Sequence, residues 1–158
     1  MNIFFLSEDP KECAQFHNDK HCVKQILETN QLLCGVHWML GKEAPYKLTH
    51  KNHPCSIWAR TSLSNYLWLC ELGLELCYEY TYRYGRRHKT QEVNEWCLDN
   101  KPNLIDIGFT EPPRAMPDEY KVDSVVESYR NYYIGAKSDF SSWKNREKPF
   151  WFEGIKVY

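Results

Sequence analysis

The sequence lacks an excess of either charge, and it also lacks any long apolar run. Its 158 residues include 20 Lys and Arg against 21 Asp and Glu, which gives a formal net charge of -1. A balance this even excludes a strongly basic nucleic-acid coat protein and a chain with a long acidic tail. No uncharged segment approaches the ~20 apolar residues that cross a bilayer, so we expect no membrane partner.

Signals for disulfide pairing and for secretion are missing as well. The chain has 7 cysteines, an odd number, and no two of them form a CxxC pair. The apolar start, Asn2 to Leu6, is too short for a signal peptide and has no basic residue before it. We therefore interpret the cysteines as reduced thiols and expect a cytoplasmic protein.

Common phosphate-binding and catalytic motifs are absent too, including the Gly-rich loop, the GxSxG elbow and the kinase and Rossmann signatures. His17 and His21 have the four-residue spacing of an HExxH zinc site, but the central Glu is missing. Lys20 and Lys24 would also place positive charge beside a metal ion. The sequence therefore predicts neither a metal site nor a cofactor.

The residues that are present favour a mainly α fold, a compact single-domain helical bundle over residues 1–158. The chain is 42% hydrophobic and 15% aromatic. Apolar residues at helical spacing predict a first long helix from about Lys20 to Leu40 and a long central helix of roughly eight turns from Pro54 to Gly85. Two shorter helices follow, which Thr90 and Asp123 are expected to cap.

Three segments are less regular. Asn2 to Leu6 is either a short buried strand or an extended arm, and Leu104 to Ile107 is a candidate strand in a loop. The C-terminal Phe150 to Tyr158 is rich in aromatic residues, so we expect an extended tail that folds back across the helices.

A polar stripe lies on the early helix if that helix includes His17. Alternating Lys and His side chains suit an anion, because lysine supplies charge and histidine donates hydrogen bonds or moves protons. The alternative is an ordinary solvated helix face. The candidate catalytic residues on this stripe are His17, His21 and Glu28, and the candidate phosphate ligands are Lys20 and Lys24.

A second cluster precedes the central helix, whose N-terminus offers free backbone N–H groups and a positive dipole to an anion. Alternatively, Asn52 or His53 simply caps the helix. We predict that this cluster and the stripe form one phosphate pocket, with Arg114 reaching in from a proline-rich loop. The additional phosphate-binding candidates are His50, Lys51, Asn52, His53 and Arg114.

The chain closes with Pro149-Phe150-Trp151-Phe152-Glu153-Gly154-Ile155-Lys156, and its early helix is rich in His and charge. In helix order and aromatic tail it resembles a small phage protein family, the pyrimidine-dimer DNA glycosylases often called endonuclease V. That family uses its N-terminal α-amine as nucleophile, a helix Glu as acid-base partner and early cationic residues to hold DNA. The resemblance places Glu28 as the Glu, and His17, His21, Lys20 and Lys24 at the cationic positions.

The bulky Asn2 implies that Met1 is retained, and the near-zero net charge gives weak long-range attraction to duplex DNA. We therefore predict a nucleotide ligand, such as a host-defence signal captured in the host cytoplasm, and no covalent adduct with damaged duplex. The alternatives are a DNA glycosylase and abasic-site lyase, a nucleotide hydrolase using His and Glu, or a protein-interaction module. We expect a homo-oligomer, because one small helical domain offers little concave surface.

Overall fold

Residues 1–152 are described by the computed structural model, and they are helical with no strand among them. This confirms the mainly α fold. Short 3-10 helices cover Asp118–Tyr120 and Ser138–Phe140. The six α-helices are α1 (Pro10–Phe16), α2 (Asp19–Met39), α3 (Pro54–Thr61), α4 (Leu63–Tyr84), α5 (Gln91–Asp99) and α6 (Val125–Ala136).

Helix α4 is the centre of the fold, and α1, α2, α3 and α5 all pack against it. Gly73 permits the closest of these approaches, since a Cβ at this position would sit 2.1 Å from the Asn94 side-chain oxygen. The Asn94 amide in turn donates to the Cys70 carbonyl of α4 over 3.1 Å. A side chain at position 73 would therefore push α5 away from the centre.

The predicted long central helix is two helices, because the chain breaks at Ser62. Ser62 has an extended backbone, with φ -150° and ψ 142°. The Asp106 carboxylate accepts hydrogen bonds from the Ser62 and Ser64 hydroxyls and from the Ser64 backbone N–H. Hydrogen bonds from Ser64, Gly108 and Ser62 lower the pKa of Asp106 to about 2. A carboxylate more than forty residues away thus caps α4.

Other boundaries also differ from the sequence prediction. Ser124 rather than Asp123 caps α6, accepting a hydrogen bond from the Glu127 backbone N–H. Thr90 stands at the N-cap of α5 without a capping side-chain bond, and residues 104–107 are loop rather than strand. Asn18 caps α2, so His17 lies outside that helix and the predicted stripe does not begin on it.

The apolar start of the chain is an extended arm that runs through the core. Ile3, Phe4, Phe5 and Leu6 are each at most 5% exposed. Polar contacts anchor the arm along its length: the Asn2 amide donates to the Ala115 carbonyl, and the Arg130 Nε donates to the Leu6 carbonyl. The arm is therefore a fixed part of the fold.

The chain beyond α6 packs back onto the first helices. Arg146 forms an ion pair with Glu79, which also binds the buried Arg83, and Arg83 reaches Asp19 at the start of α2. Trp151 contacts Phe16 edge-on and Tyr133 in a tilted arrangement, and Phe152 is 5% exposed. The rest of the predicted tail, residues 153–158, lies outside the described residues.

All seven cysteines are buried free thiols, as predicted. None of the helices within residues 1–152 combines the length and apolar character needed to cross a membrane.

Candidate active site

The N-terminal arm brings the α-amine of Met1 to a carboxylate on α2. The amine nitrogen lies 3.3 Å from Glu28 Oε1, and the two side chains are 4% and 14% exposed. Met1 also packs its side chain against the hydrophobic core. The amine and the carboxylate therefore meet at a position whose two sides are held by independent elements.

The second oxygen of Glu28 faces two other side chains of α2. Gln25 Nε2 donates to Oε2 over 3.3 Å, and the Lys24 ammonium lies 3.9 Å from the same oxygen. Gln25 is buried, whereas the Lys24 side chain is 73% exposed. Gln25 therefore fixes the carboxylate from the protein side, while Lys24 presents a cation to solvent beside it.

The N-terminus of α3 forms the other side of this corner. His53 is the N-cap residue of α3, and its Nδ1 accepts a hydrogen bond from the Cys55 backbone N–H over 3.0 Å. Burial, the positive α-amine and His50 lower the pKa of His53, in that order of size. His53 is thus close enough to the amine for its charge to act on the ring, and His50 acts on His53 in the same way.

Cys55 supports the arm from below this corner. Its thiol is fully buried and contacts the backbone of Ile3. Burial is the largest cause that raises the pKa of Cys55, to about 11, so the thiol stays protonated near neutral pH. Cys55 is therefore a packing residue rather than a nucleophile.

An amine in contact with a carboxylate can do nucleophilic chemistry. The neutral amine attacks an electrophilic carbon, and a carboxylate within hydrogen-bonding reach accepts and returns the protons that such an attack releases. Since α-amines are less basic than lysine side chains, more of an α-amine is neutral near pH 7. We define the amine corner as Met1, Lys24, Glu28, His50 and His53.

The structure brings together four of the predicted site residues, namely Lys24, Glu28, His50 and His53. His17 lies elsewhere, in the core, with 1% of its surface exposed. Its Nδ1 donates to the Cys13 carbonyl over 2.7 Å, and its Nε2 is buried without a partner among residues 1–152. Burial, the largest cause, lowers the pKa of His17 to about 4.

His21 is also part of the core. Its ring stacks on Phe4 with centroids 4.1 Å apart, and its Nδ1 lies 2.6 Å from the Tyr133 hydroxyl. The Asn18 backbone N–H donates to the same hydroxyl, which leaves the hydroxyl proton free for the His21 ring. Burial is again the main cause that lowers the pKa of His21, to about 3. Both histidines fix the arm and α6 rather than face the amine.

The remaining predicted ligands are exposed and do not contact Glu28. The Lys20 ammonium lies 4.8 Å from the Phe140 ring centroid, and the Arg114 guanidinium donates to the Val122 carbonyl. The Arg60 guanidinium donates a hydrogen bond to the Lys51 backbone carbonyl, and Asn52 is exposed. The fold therefore does not bring all the predicted site residues into one pocket.

The residue patterns did not predict two groups at this site, the α-amine of Met1 and the Gln25 amide beside Glu28. Helical spacing gave no reason to join residue 1 to Glu28, and only the family resemblance pointed to the α-amine. Gln25 was missed although it stands three residues before Glu28 on the same helix face. Within residues 1–152, no group of three or more His, Cys, Asp or Glu side chains is arranged to hold a metal ion.

Comparison with known proteins gives one match. No curated protein and no solved structure matches the chain. The family model described as pyrimidine dimer DNA glycosylase matches residues 1–92, which include the arm, Glu28 and the His50–His53 segment. Since the match covers more than half of the 158 residues, the chain belongs to the pyrimidine dimer DNA glycosylase family.

Proposed function

We propose that the protein is a DNA glycosylase and abasic-site lyase whose nucleophile is the α-amine of Met1 and whose acid-base group is Glu28. The observation that carries the proposal is the 3.3 Å contact between the amine and the Glu28 carboxylate. Family membership supports the glycosylase class. The proposal takes the alternative named in the sequence analysis in place of the first prediction, a nucleotide-binding protein that forms no covalent adduct with DNA.

The lyase half of the reaction begins at the aldehyde form of an abasic sugar. The neutral amine adds to C1′, and loss of water leaves a C=N bond that is protonated to an iminium ion. Glu28 accepts the proton that the amine loses and returns a proton to the departing water. Removal of a C2′ proton then expels the 3′-phosphate, so the strand is cut without an oxidant or reductant.

The buried arm supplies the positioning that this reaction needs. Residues 3–6 are almost fully buried, so the amine cannot move away from α2 without disturbing the core. Holding a nucleophile in place converts a bimolecular step into an effectively unimolecular one. The fold thus restricts the amine before any substrate binds.

The amine corner has few cations, and this limits the affinity for DNA that we expect. Lys24 and Lys20 project from successive turns of α2 and are exposed, as is His50. Each phosphate contact contributes to the salt dependence of binding. We expect moderate affinity for duplex DNA and a shallow salt dependence, with Lys24→Ala weakening binding about equally for all sequences.

The test is borohydride trapping on duplex DNA that contains an abasic site or a pyrimidine dimer. Borohydride reduces the iminium ion to a stable amine, so we expect a covalent adduct that peptide mapping assigns to residue 1. Intact-mass measurement first establishes that the purified chain starts at an unmodified Met1.

Glu28→Gln keeps the size of the side chain and removes its basicity, so we expect turnover to fall at least about 100-fold. Glu92→Gln, at an exposed position on α5, is the matched control and should leave turnover unchanged. No trapped adduct on either substrate, from a chain with a free α-amine, would rule out the proposed chemistry.

Capture of a host-defence nucleotide, phage origin and a homo-oligomer stay predictions. Light scattering at micromolar concentration tests the oligomer directly.

A further inference from the structure

A cavity of about 540 Å³ lies at the opposite end of α2 from the amine corner. It is formed where the C-terminus of α2 and the loop after it meet the end of α5 and its following loop. This volume is in the range that small-molecule sites occupy. The residues used below are His37, Lys42, Glu43, Trp96, Lys101 and Asn103, all of which line the cavity.

His37 is 95% buried and its ring has a defined tautomer. The Tyr66 hydroxyl donates its only proton to the Cys97 carbonyl over 2.8 Å. His37 Nε2 lies 2.8 Å from the same hydroxyl and must therefore donate to it. In the neutral ring, Nδ1 then carries a lone pair that can only accept a hydrogen bond.

Nδ1 has no hydrogen-bond partner among residues 1–152, although the side chain that carries it is almost fully buried and lines the cavity. Burial lowers the pKa of His37, which keeps the ring neutral near pH 7. Buried polar atoms normally have partners. The cavity therefore presents an acceptor suited to a ligand N–H group.

Aromatic and charged side chains complete the lining. The Trp96 ring meets the His37 ring edge-on, with centroids 4.9 Å apart, and is half-buried. Lys42 and Lys101 approach from the two loops, and neither forms an ion pair with another residue in the described part of the chain. A flat ring can lie against Trp96 while an anionic group reaches the lysines.

We propose that this cavity binds a nucleoside monophosphate unit, either free or within a single strand. The base contacts Trp96 and donates an N–H to His37 Nδ1, and the phosphate lies between Lys42 and Lys101. Glu43 and Asn103 offer polar groups to the sugar. A nucleotide suits this lining because it joins a flat hydrogen-bonding ring to an anion.

This site is separate from the amine corner. His37 lies nine residues after Glu28, which is about 14 Å along the helix axis and on the opposite side of α2. The proposal therefore does not depend on the imine chemistry proposed above.

The test titrates the full-length protein with dAMP, TMP, deoxyadenosine, inorganic phosphate and a single-stranded tetranucleotide. Calorimetry gives affinities, and the indole N–H signals of the 6 tryptophans in NMR spectra report the place of binding. Trp96→Phe assigns its own signal. The double variant Lys42→Ala/Lys101→Ala removes both cations, and Lys47→Ala/Lys89→Ala removes two exposed lysines that do not line the cavity.

We expect a mononucleotide or the tetranucleotide to bind with Kd below about 1 mM and to shift the Trp96 signal. The pocket double variant should weaken binding about 100-fold, since charge-assisted contacts contribute about tenfold each. Binding of the mononucleotide identifies a free ligand, and binding of the tetranucleotide alone identifies a strand. No binding of either, an unmoved Trp96 signal, or equal affinity for deoxyadenosine and dAMP would overturn the proposal.

Discussion

Two pairs of histidines with similar sequence surroundings have opposite environments in this fold. His17 and His21 are 1% and 8% exposed and lie against the buried arm, whereas His50 is exposed and His53 half-buried at the amine corner. Each pair flanks a lysine in the sequence and lies near the N-terminus of a helix. The difference lies in what surrounds them: the ring of Phe4 covers the first pair, whereas the α-amine and the neighbouring His50 act on His53 in the second. Burial, rather than spacing, separates a structural histidine from one available to a ligand.

The largest expected effect comes from moving the amine itself. One extra residue before Met1 shifts the amine by up to ~3.5 Å, beyond its present contact with Glu28. We expect borohydride trapping to fall at least about 100-fold while thermal unfolding changes little. An extension removed by a protease, which restores Met1, should recover the activity. Retained trapping in the extended chain would place the nucleophile elsewhere.

Acid should destabilise the protein through its buried histidines. The pKa of His17 is about 4 in the folded protein against 6.5 for an ordinary histidine, so the unfolded chain binds the extra proton between these values. Stability is therefore fully present above pH 6.5 and falls as the pH drops to about 4, by about 3 kcal/mol for His17 alone.

Urea unfolding at several pH values measures this loss. His17→Asn retains an amide N–H for the Cys13 carbonyl and should flatten the pH dependence. His50→Asn is the matched exposed control. Equal pH slopes in the wild type and His17→Asn would contradict the assignment of His17 as a neutral core residue.

A direct contrast between the two pairs comes from alanine substitution. His21→Ala removes the stack on Phe4 and the bond to Tyr133, and we expect it to lower the free energy of unfolding by about 2–3 kcal/mol. His50→Ala should change it by less than about 0.5 kcal/mol, because that side chain is exposed. Similar losses in both variants would remove the distinction between the pairs.

The smallest expected effect concerns the cap of α3. His53→Ala removes the bond that the Cys55 N–H makes to His53 Nδ1, which should cost about 1 kcal/mol. His53→Asn supplies another capping oxygen and should retain most of that stability. Because His53→Asn keeps the cap, a difference in borohydride trapping between this variant and the wild type reports the effect of the imidazole on the amine.

Much of the fold could be predicted because apolar residues at helical spacing define α2 and most of α4. The break at Ser62 could not, since the carboxylate that caps α4 belongs to Asp106 and reaches it only in the folded chain. The start of α2 depends instead on a local cap, since Asn18 accepts a hydrogen bond from the His21 backbone N–H and leaves His17 outside the helix.

The candidate site was partly predictable. Glu28 follows from the family resemblance, and a helix that starts at Pro54 explains why His53 stands at its N-cap. Helical spacing predicted a polar histidine stripe because it shows which residues share a helix face. It does not show which other residues cover that face. Phe4, seventeen residues earlier, determines whether His21 is polar surface or core.

The ion network at Glu79 joins the segment that matches the family model to the rest of the chain. Arg83 and Glu79 are 1% and 4% exposed, and Arg146 completes their pairing from beyond the segment that matches the family. Removing one partner of a buried charge network costs about 3–5 kcal/mol, a large part of the ~5–15 kcal/mol that holds a domain together. A gene shortened to residues 1–92 would lose that partner together with the aromatic rings of α6 that cover the arm. The segment that matches the family model therefore depends for its stability on the segment that follows it.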